Sequence, residues 1–265
     1  MSKPLALVAL NLGAEVYLNK VAHKTKIHTI WHRTVMYKPK HQAVPEVALQ
    51  NTSGSHFCGG SIIEPDIVVT AAHCLRGEGP ADILVQAGIL DLNNPPDYSQ
   101  VRHVRKFAVH ESLEGQSSDI ALLKLVEPFD FGESQGHIGA VCLPAKDRPL
   151  EGKVAVTGWG LTSEGGPKSP HLLAVSVPVL SSEICASETE FTYDSKTMFC
   201  AGSPGKDSCR EDSGGPAVQK ESESFILLGV VSFGYGCARP PAYGFYVRVP
   251  AFTDWIAENI AKLQS

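Results

Sequence analysis

Residues 205–216 read Gly205-Lys206-Asp207-Ser208-Cys209-Arg210-Glu211-Asp212-Ser213-Gly214-Gly215-Pro216. A serine stands between an acidic residue and two glycines, in a glycine-rich loop with a cysteine beside it. Such a loop turns tightly, presents a hydroxyl and leaves backbone N–H groups exposed around it. A nucleophilic side chain needs that setting. One residue is out of keeping, because Glu211 brings a charged side chain into a turn where glycine is easier.

The rest of the chain bounds what this loop can belong to. With 265 residues, 43% of them hydrophobic, there is enough material for a sizeable core in one large domain or two small ones. The 24 glycines and 18 prolines, set among short apolar runs, favour strands joined by turns. The 23 basic and 28 acidic residues are mixed along the chain, which argues against a nucleic-acid or membrane-surface partner. The early apolar run from Leu5 to Leu10 is too short to cross a bilayer, and Asn11 and Glu15 interrupt it before a signal-peptide pattern develops. Seven cysteines without a C-x-x-C pair fit no zinc pattern. Their odd number leaves one thiol over, and disulfides compete with buried reduced thiols. The sequon Asn51-Thr52-Ser53 adds a little weight to secretion.

Short strands are expected at 47–50, 56–63, 67–70, 83–87, 101–109, 120–126, 154–157, 172–179, 225–233 and 244–249, with turn residues between them. Regular short strands without long helical periodicity indicate an all-β barrel or sandwich. The carboxyl end is the exception. Phe252, Trp255, Ile256 and Ile260 recur at helical spacing after Pro250, with Thr253 placed to cap. Residues 1–43 differ from the rest, lacking alternation and cysteine and carrying His23, His28, His32 and His41. They read as an atypical segment, propeptide-like or mistranslated, ahead of a domain over 44–265.

Three segments carry chemistry. Thr70-Ala71-Ala72-His73-Cys74 puts an imidazole at a strand end. Ser118-Asp119-Ile120-Ala121-Leu122-Leu123 puts a carboxylate before an apolar strand, which buries it. The third is the Ser213 loop. A hydroxyl is a poor nucleophile near neutral pH unless an imidazole takes its proton, and a buried carboxylate fixes the imidazole tautomer. Spacing alone does not bring the three together.

With Cys58-Gly59-Gly60-Ser61-Ile62-Ile63, Thr157-Gly158-Trp159-Gly160 and Val231-Ser232-Phe233-Gly234 added, the chain resembles the chymotrypsin/trypsin-like serine peptidases over roughly residues 44–262. The resemblance implies two six-stranded antiparallel β-barrels, a C-terminal helix and a cleft between the barrels. It implies a secreted, trypsin-like endopeptidase that works without a cofactor. His73 becomes general base and acid, Asp119 its orienting partner, Ser213 the nucleophile, and the N–H groups of Glu211 and Ser213 the oxyanion hole. Asp207 becomes the floor of a pocket for a substrate Arg or Lys. Gly234 and Gly244 become its walls, and residues 232–234 a strand edge for the substrate. The implied partners are proteins or peptides containing Arg or Lys, and protein protease inhibitors. The implied disulfides are Cys58–Cys74, Cys185–Cys200 and Cys209–Cys237. A further family pair is missing at both ends, at Val154 and Gln219. Cys142 is left over, either free or joined to an upstream chain. Tyr243 is compatible with a sodium ion held by loop carbonyls. Ile89 stands where the family's calcium loop needs a carboxylate, so no calcium, and no other metal, is expected.

Two departures bear on activity. The family has glycine at the position of Glu211. A flip of that peptide would remove an oxyanion donor, a loss worth roughly a hundred- to thousandfold in rate. The bland outcome is a tolerated geometry with the side chain in solvent, altering leaving-side specificity. The second departure is the activating amino terminus, an Ile-Val-Gly-Gly-like stretch whose α-ammonium would meet Asp212. Cuts after Lys26 or Arg33 give only poor matches, and Asp212 is then expected to turn towards His56. The rival reading is therefore a catalytically impaired homologue that binds proteins through the same cleft.

Overall fold

The computed structural model describes residues 34–35, 44–110, 118–189, 193–205, 207–234, 236–237 and 243–265. The cleavage points after Lys26 and Arg33 lie outside the described residues. Six strands close on themselves in the order β2-β3-β4-β7-β6-β5: β2 (Glu46–Asn51), β3 (His56–Glu64), β4 (Ile67–Thr70), β5 (Ile83–Ala87), β6 (Gln100–Val109) and β7 (Ala121–Leu125). β4 and β7 pair antiparallel in the centre of the apolar stretch, Val68 opposite Leu123. β4 is buried throughout and β7 is buried at all but Lys124, which pairs with Asp66.

The second sheet runs β1-β9-β8-β11-β12-β13-β10. Its strands are β1 (Thr34–Val35), β8 (Lys153–Gly158), β9 (Leu173–Pro178), β10 (Met198–Ala201), β11 (Pro216–Glu221), β12 (Ser224–Gly234) and β13 (Gly244–Arg248). β8 and β9 alternate buried and half-buried residues, the pattern of strands with one face on a core. The sheet curls until Val179 bridges Ala201, so six of its strands form a second barrel-like body. The two-residue β1 lies on β9 by pairing Thr34 with Ala174. The fold is thus the expected pair of six-stranded antiparallel barrels.

Sequence reading missed β1, β10, β11 and one short helix. β10 has four residues, too few for a period, and β11 begins at Pro216 directly out of the glycine-rich loop. Helix α1 (Ser182–Ser187) makes under two turns, with Ser181 accepting a hydrogen bond from the Ile184 N–H. The terminal helix α2 (Thr253–Gln264) is present, but Thr253 is its first residue and not its cap. Phe252 occupies the capping position, and the Thr253 hydroxyl is buried without a hydrogen bond. Although α2 follows the second barrel in sequence, Ile256 and Leu263 pack into the core of the first. Val218, Leu227, Val230 and Val247 of the second barrel join the same core. The two bodies therefore share one apolar seam, and the cleft opens beside it.

Candidate active site

The 3₁₀ turn Ala72–Leu75 leaves the end of β4 and carries His73. Its disulfide from Cys74 to Cys58 staples that turn to β3. Asp119 precedes β7, the strand paired with β4, so the sheet register itself brings carboxylate and imidazole together. His73 Nδ1 lies 2.7 Å from Asp119 Oδ2, and the His73 backbone N–H donates to Oδ1 at 2.8 Å. The Ser232 hydroxyl donates to Oδ2 as well. Burial of Asp119 opposes its charge. The hydrogen bonds and charge of His73, with the Ser232 hydroxyl, outweigh burial and hold the carboxyl below the ordinary aspartate value. This carboxylate fixes the ring with Nδ1 as donor, leaving Nε2 for a proton from elsewhere.

The Ser213 loop comes from the second barrel up against the first. The Ser213 carbonyl accepts from Gly59 N–H at 2.7 Å, and the next residue donates to Val231 O at 2.8 Å. A Cβ on Gly214 would stand 2.3 Å from Thr70 Oγ1, directly ahead of the His73 turn. Only glycine lets the serine loop approach that closely. Ser213, Ser208, Leu161, Ser232, Phe233 and Gly234 are among the residues lining one cavity of about 500 Å³. Asp207 stands behind it, 2% exposed, with Oδ1 accepting the Ser208 N–H at 2.8 Å. A Cβ on Gly244 would lie 2.6 Å from that Oδ1, so the side-chain-free wall expected at Gly244 abuts the carboxylate. Gly234 pairs with Gly244 in the β12–β13 ladder, and Cys209–Cys237 closes the loop across them.

Asp212 is 1% exposed and accepts from Gly160 N–H at 2.9 Å and Cys209 N–H at 2.7 Å. Gly158 and Gly160 wrap it so tightly that a Cβ on either would collide with the carboxylate. Asp212 is therefore not turned to His56, contrary to expectation. Two backbone donors hold it where it stands. His56 instead sets its ring edge-on to Trp159 and lies 4.0 Å from Glu211 Oε2. Burial, then the nearby Lys168 charge, lowers the His56 pKa to about 4.

Glu211 takes the geometry of the bland expectation, but its side chain is not in open solvent. Its φ is +71°, the left-handed region that glycine occupies freely, so the glutamate adopts the glycine conformation. Its carboxylate is not in open solvent but 2.7 Å from Lys168 Nζ. The conformation costs roughly 1–2 kcal/mol for a residue with a Cβ. A partly exposed ion pair returns about 0–1 kcal/mol of that. The peptide before it is held too, since Arg210 O accepts from Leu161 N–H at 3.0 Å. In a trans peptide the N–H opposes the C=O, so the Glu211 N–H points away from Leu161. Lys168, Leu161 and the Ser232 hydroxyl gave no signal in sequence, because each acts only through a partner far along the chain.

The remaining cysteines pair as Cys185–Cys200 and leave Cys142 free and exposed. In place of the missing fourth bridge, Gln219 donates to the carbonyls of Glu151 and Lys153 and accepts from Arg148. Tyr243 packs on Gly202, and Ile89 is buried with Trp159 and Leu172. The one His/Cys/Asp/Glu cluster of metal-binding size among the described residues is Cys58, His73 and Cys74. Its two sulfurs are spent in a disulfide, which leaves no thiolate to bind a metal.

Two antiparallel barrels with a histidine–carboxylate couple from one and a serine turn from the other define the class: a double-barrel serine hydrolase fold. The Trypsin family model matches residues 36–256, and the chain belongs to that family of serine peptidases. It is 40% identical over 211 residues to Trypsin-1 of Astacus astacus, covering 77% of this chain and 88% of that protein. It is 41% identical over 225 residues to Trypsin epsilon of Drosophila erecta, covering 82% and 83%. It is 37% identical over 227 residues to Vitellin-degrading protease of Bombyx mori, covering 80% and 79%.

Proposed function

We propose that the protein is a secreted endopeptidase that cleaves after Arg or Lys through an acyl-enzyme on Ser213. The observation that carries this reading is the 2.7 Å bond from His73 Nδ1 to Asp119 Oδ2, a carboxylate that also accepts from Ser232, which lines one cavity with Ser213. His73 Nε2 takes the Ser213 proton as Oγ bonds to the carbonyl carbon, and the carbonyl electron pair moves onto oxygen. The N–H groups of Glu211 and Ser213 stabilise that oxyanion. The imidazolium, stabilised by Asp119, passes its proton to the leaving amine as the C–N bond breaks. Water then repeats the sequence against the acyl-enzyme, with His73 again taking and returning the proton.

A cationic side chain entering the cavity would meet the buried Asp207 carboxylate past Gly244, which supports the Arg/Lys preference. Relatives named as trypsins support the same substrate class. Three disulfides support an oxidising, extracellular location.

The test is labelling with a fluorophosphonate probe, before and after treatment with a trypsin-like activator, beside Ser213→Ala. Labelling that requires Ser213, with faster hydrolysis of Arg and Lys amides than of Phe or Leu amides, is the expected result. No Ser213-dependent labelling in either form would sink the enzyme reading and favour the protein-binding homologue.

A further inference from the structure

We propose that the hairpin of residues 161–168 clamps the Arg210–Glu211 peptide, and that Lys168 is a positioning residue for the Glu211 N–H. This rests on the peptidase reading above. Leu161 and Lys168 face each other as an antiparallel bridge. Thr162 N–H closes the hairpin by donating to Pro167 O at 3.0 Å. One end of that hairpin grips the peptide's carbonyl, the other the side chain of the residue after it. Leu161 N–H holds the Arg210 carbonyl at 3.0 Å. Lys168 Nζ holds the Glu211 carboxylate at 2.7 Å and the His56 carbonyl at 3.4 Å.

The second grip matters because residue 211 has a Cβ. Glycine at φ near +71° would rest there unaided, whereas glutamate is drawn back towards negative φ. Rotation in that direction swings the peptide and takes the N–H off its line. The Lys168 tether opposes the rotation by fixing the far end of the same side chain. It also neutralises the carboxylate, which would otherwise stand uncompensated beside a site where an oxyanion forms. Lys168 thus restores to a glutamate what a glycine would supply by itself. Neutral His56, 4.0 Å away, adds no charge of its own to the pair.

Removing an oxyanion donor costs roughly a hundred- to thousandfold. A clamp whose release leaves the donor in place about a tenth of the time therefore costs about tenfold. The experiment compares wild type, Lys168→Met, Lys168→Arg, Glu211→Gly and the Glu211→Gly/Lys168→Met double variant on a small Arg amide. The expected result is kcat about tenfold lower in Lys168→Met, with KM within about twofold, and recovery in Lys168→Arg. Adding Lys168→Met to Glu211→Gly should change kcat by less than about twofold, because glycine has no need of the tether. Equal kcat in wild type and Lys168→Met, or an equal loss with and without Glu211, overturns the clamp while leaving the peptidase reading intact. Absence of Ser213-dependent turnover in wild type overturns the peptidase reading instead. The clamp then stands or falls on crystal structures of wild type and Lys168→Met. It is supported if Glu211 leaves the left-handed region in the variant, and overturned if the Arg210–Glu211 peptide is the same in both.

Discussion

His56 should make the protein lose stability in mild acid, above the range where carboxylates titrate. The ring's ordinary pKa of 6.5 falls to about 4 in the fold, through burial and then the Lys168 charge. As pH drops, the unfolded chain takes up this proton first. Stability is therefore full above 6.5, declines across the window from 6.5 to about 4, and levels off below it. At pH 5 the difference in proton binding is worth about 2 kcal/mol, rising to roughly 3 kcal/mol below the window. Urea unfolding followed by tryptophan fluorescence measures this, in a Ser213→Ala background that prevents self-digestion. His56→Phe keeps a ring against Trp159 but binds no proton. The parent should lose about 2 kcal/mol more than His56→Phe between pH 8 and pH 5. Equal losses in the two proteins would refute the argument. Adding Lys168→Met should shrink the gap, since it removes the second cause of the shift.

Three other substitutions probe the cleft. Ser232→Ala removes a hydroxyl donor from Asp119, so the Asp119 carboxyl should rise. A depressed carboxylate contributes stability that is lost as pH falls from its unfolded to its folded value; raising the folded value leaves the start of that loss unchanged but makes it smaller and complete at higher pH in the variant; turnover should fall by about three- to tenfold, equivalent to roughly 1 kcal/mol. Gly244→Ala would put a Cβ 2.6 Å from Asp207 Oδ1 and 2.8 Å from Ser208 Oγ, so KM for Arg and Lys amides should rise at least about tenfold. Glu211→Gly should raise the unfolding midpoint by relieving about 1 kcal/mol of left-handed strain. Its kcat should gain less than about tenfold, well short of the hundredfold or more expected if the donor were missing in the parent.

Local chemistry explains which features were readable. The Asp-Ser-Gly-Gly turn, the His73–Cys74 strand end and Asp119 before an apolar run each declare their chemistry within a few residues, as does the helical period from Phe252 to Ile260. Among the strands that escaped notice, β10 and β11 lack such a local record. They are strands because β13 and β12 supply their hydrogen bonds, as where Phe199 meets Tyr246 and Ala217 meets Gly229. The capping role of Thr253 failed for a related reason. The chain arrives from Pro250 through a 3₁₀ turn, which sets Phe252 at the helix boundary.

By themselves, the residues indicated an all-β barrel or sandwich and a serine, histidine and aspartate fit for nucleophilic chemistry; the two barrels, the three disulfide pairs and Asp207 as pocket floor came through the resemblance they carry. Side-chain type and short-range period carry the strand class and the chemistry of single residues, because they fix what a residue can do and which face it shows. Tertiary structure alone decided where Asp212 finds its donors, that Val179 and Ala201 close the second barrel, and that Glu211 rests on Lys168 in a glycine's conformation. Those outcomes depend on the directions of carbonyls, N–H groups and charges contributed by segments far apart in sequence. Their positions exist only once both barrels have closed and packed along their shared seam.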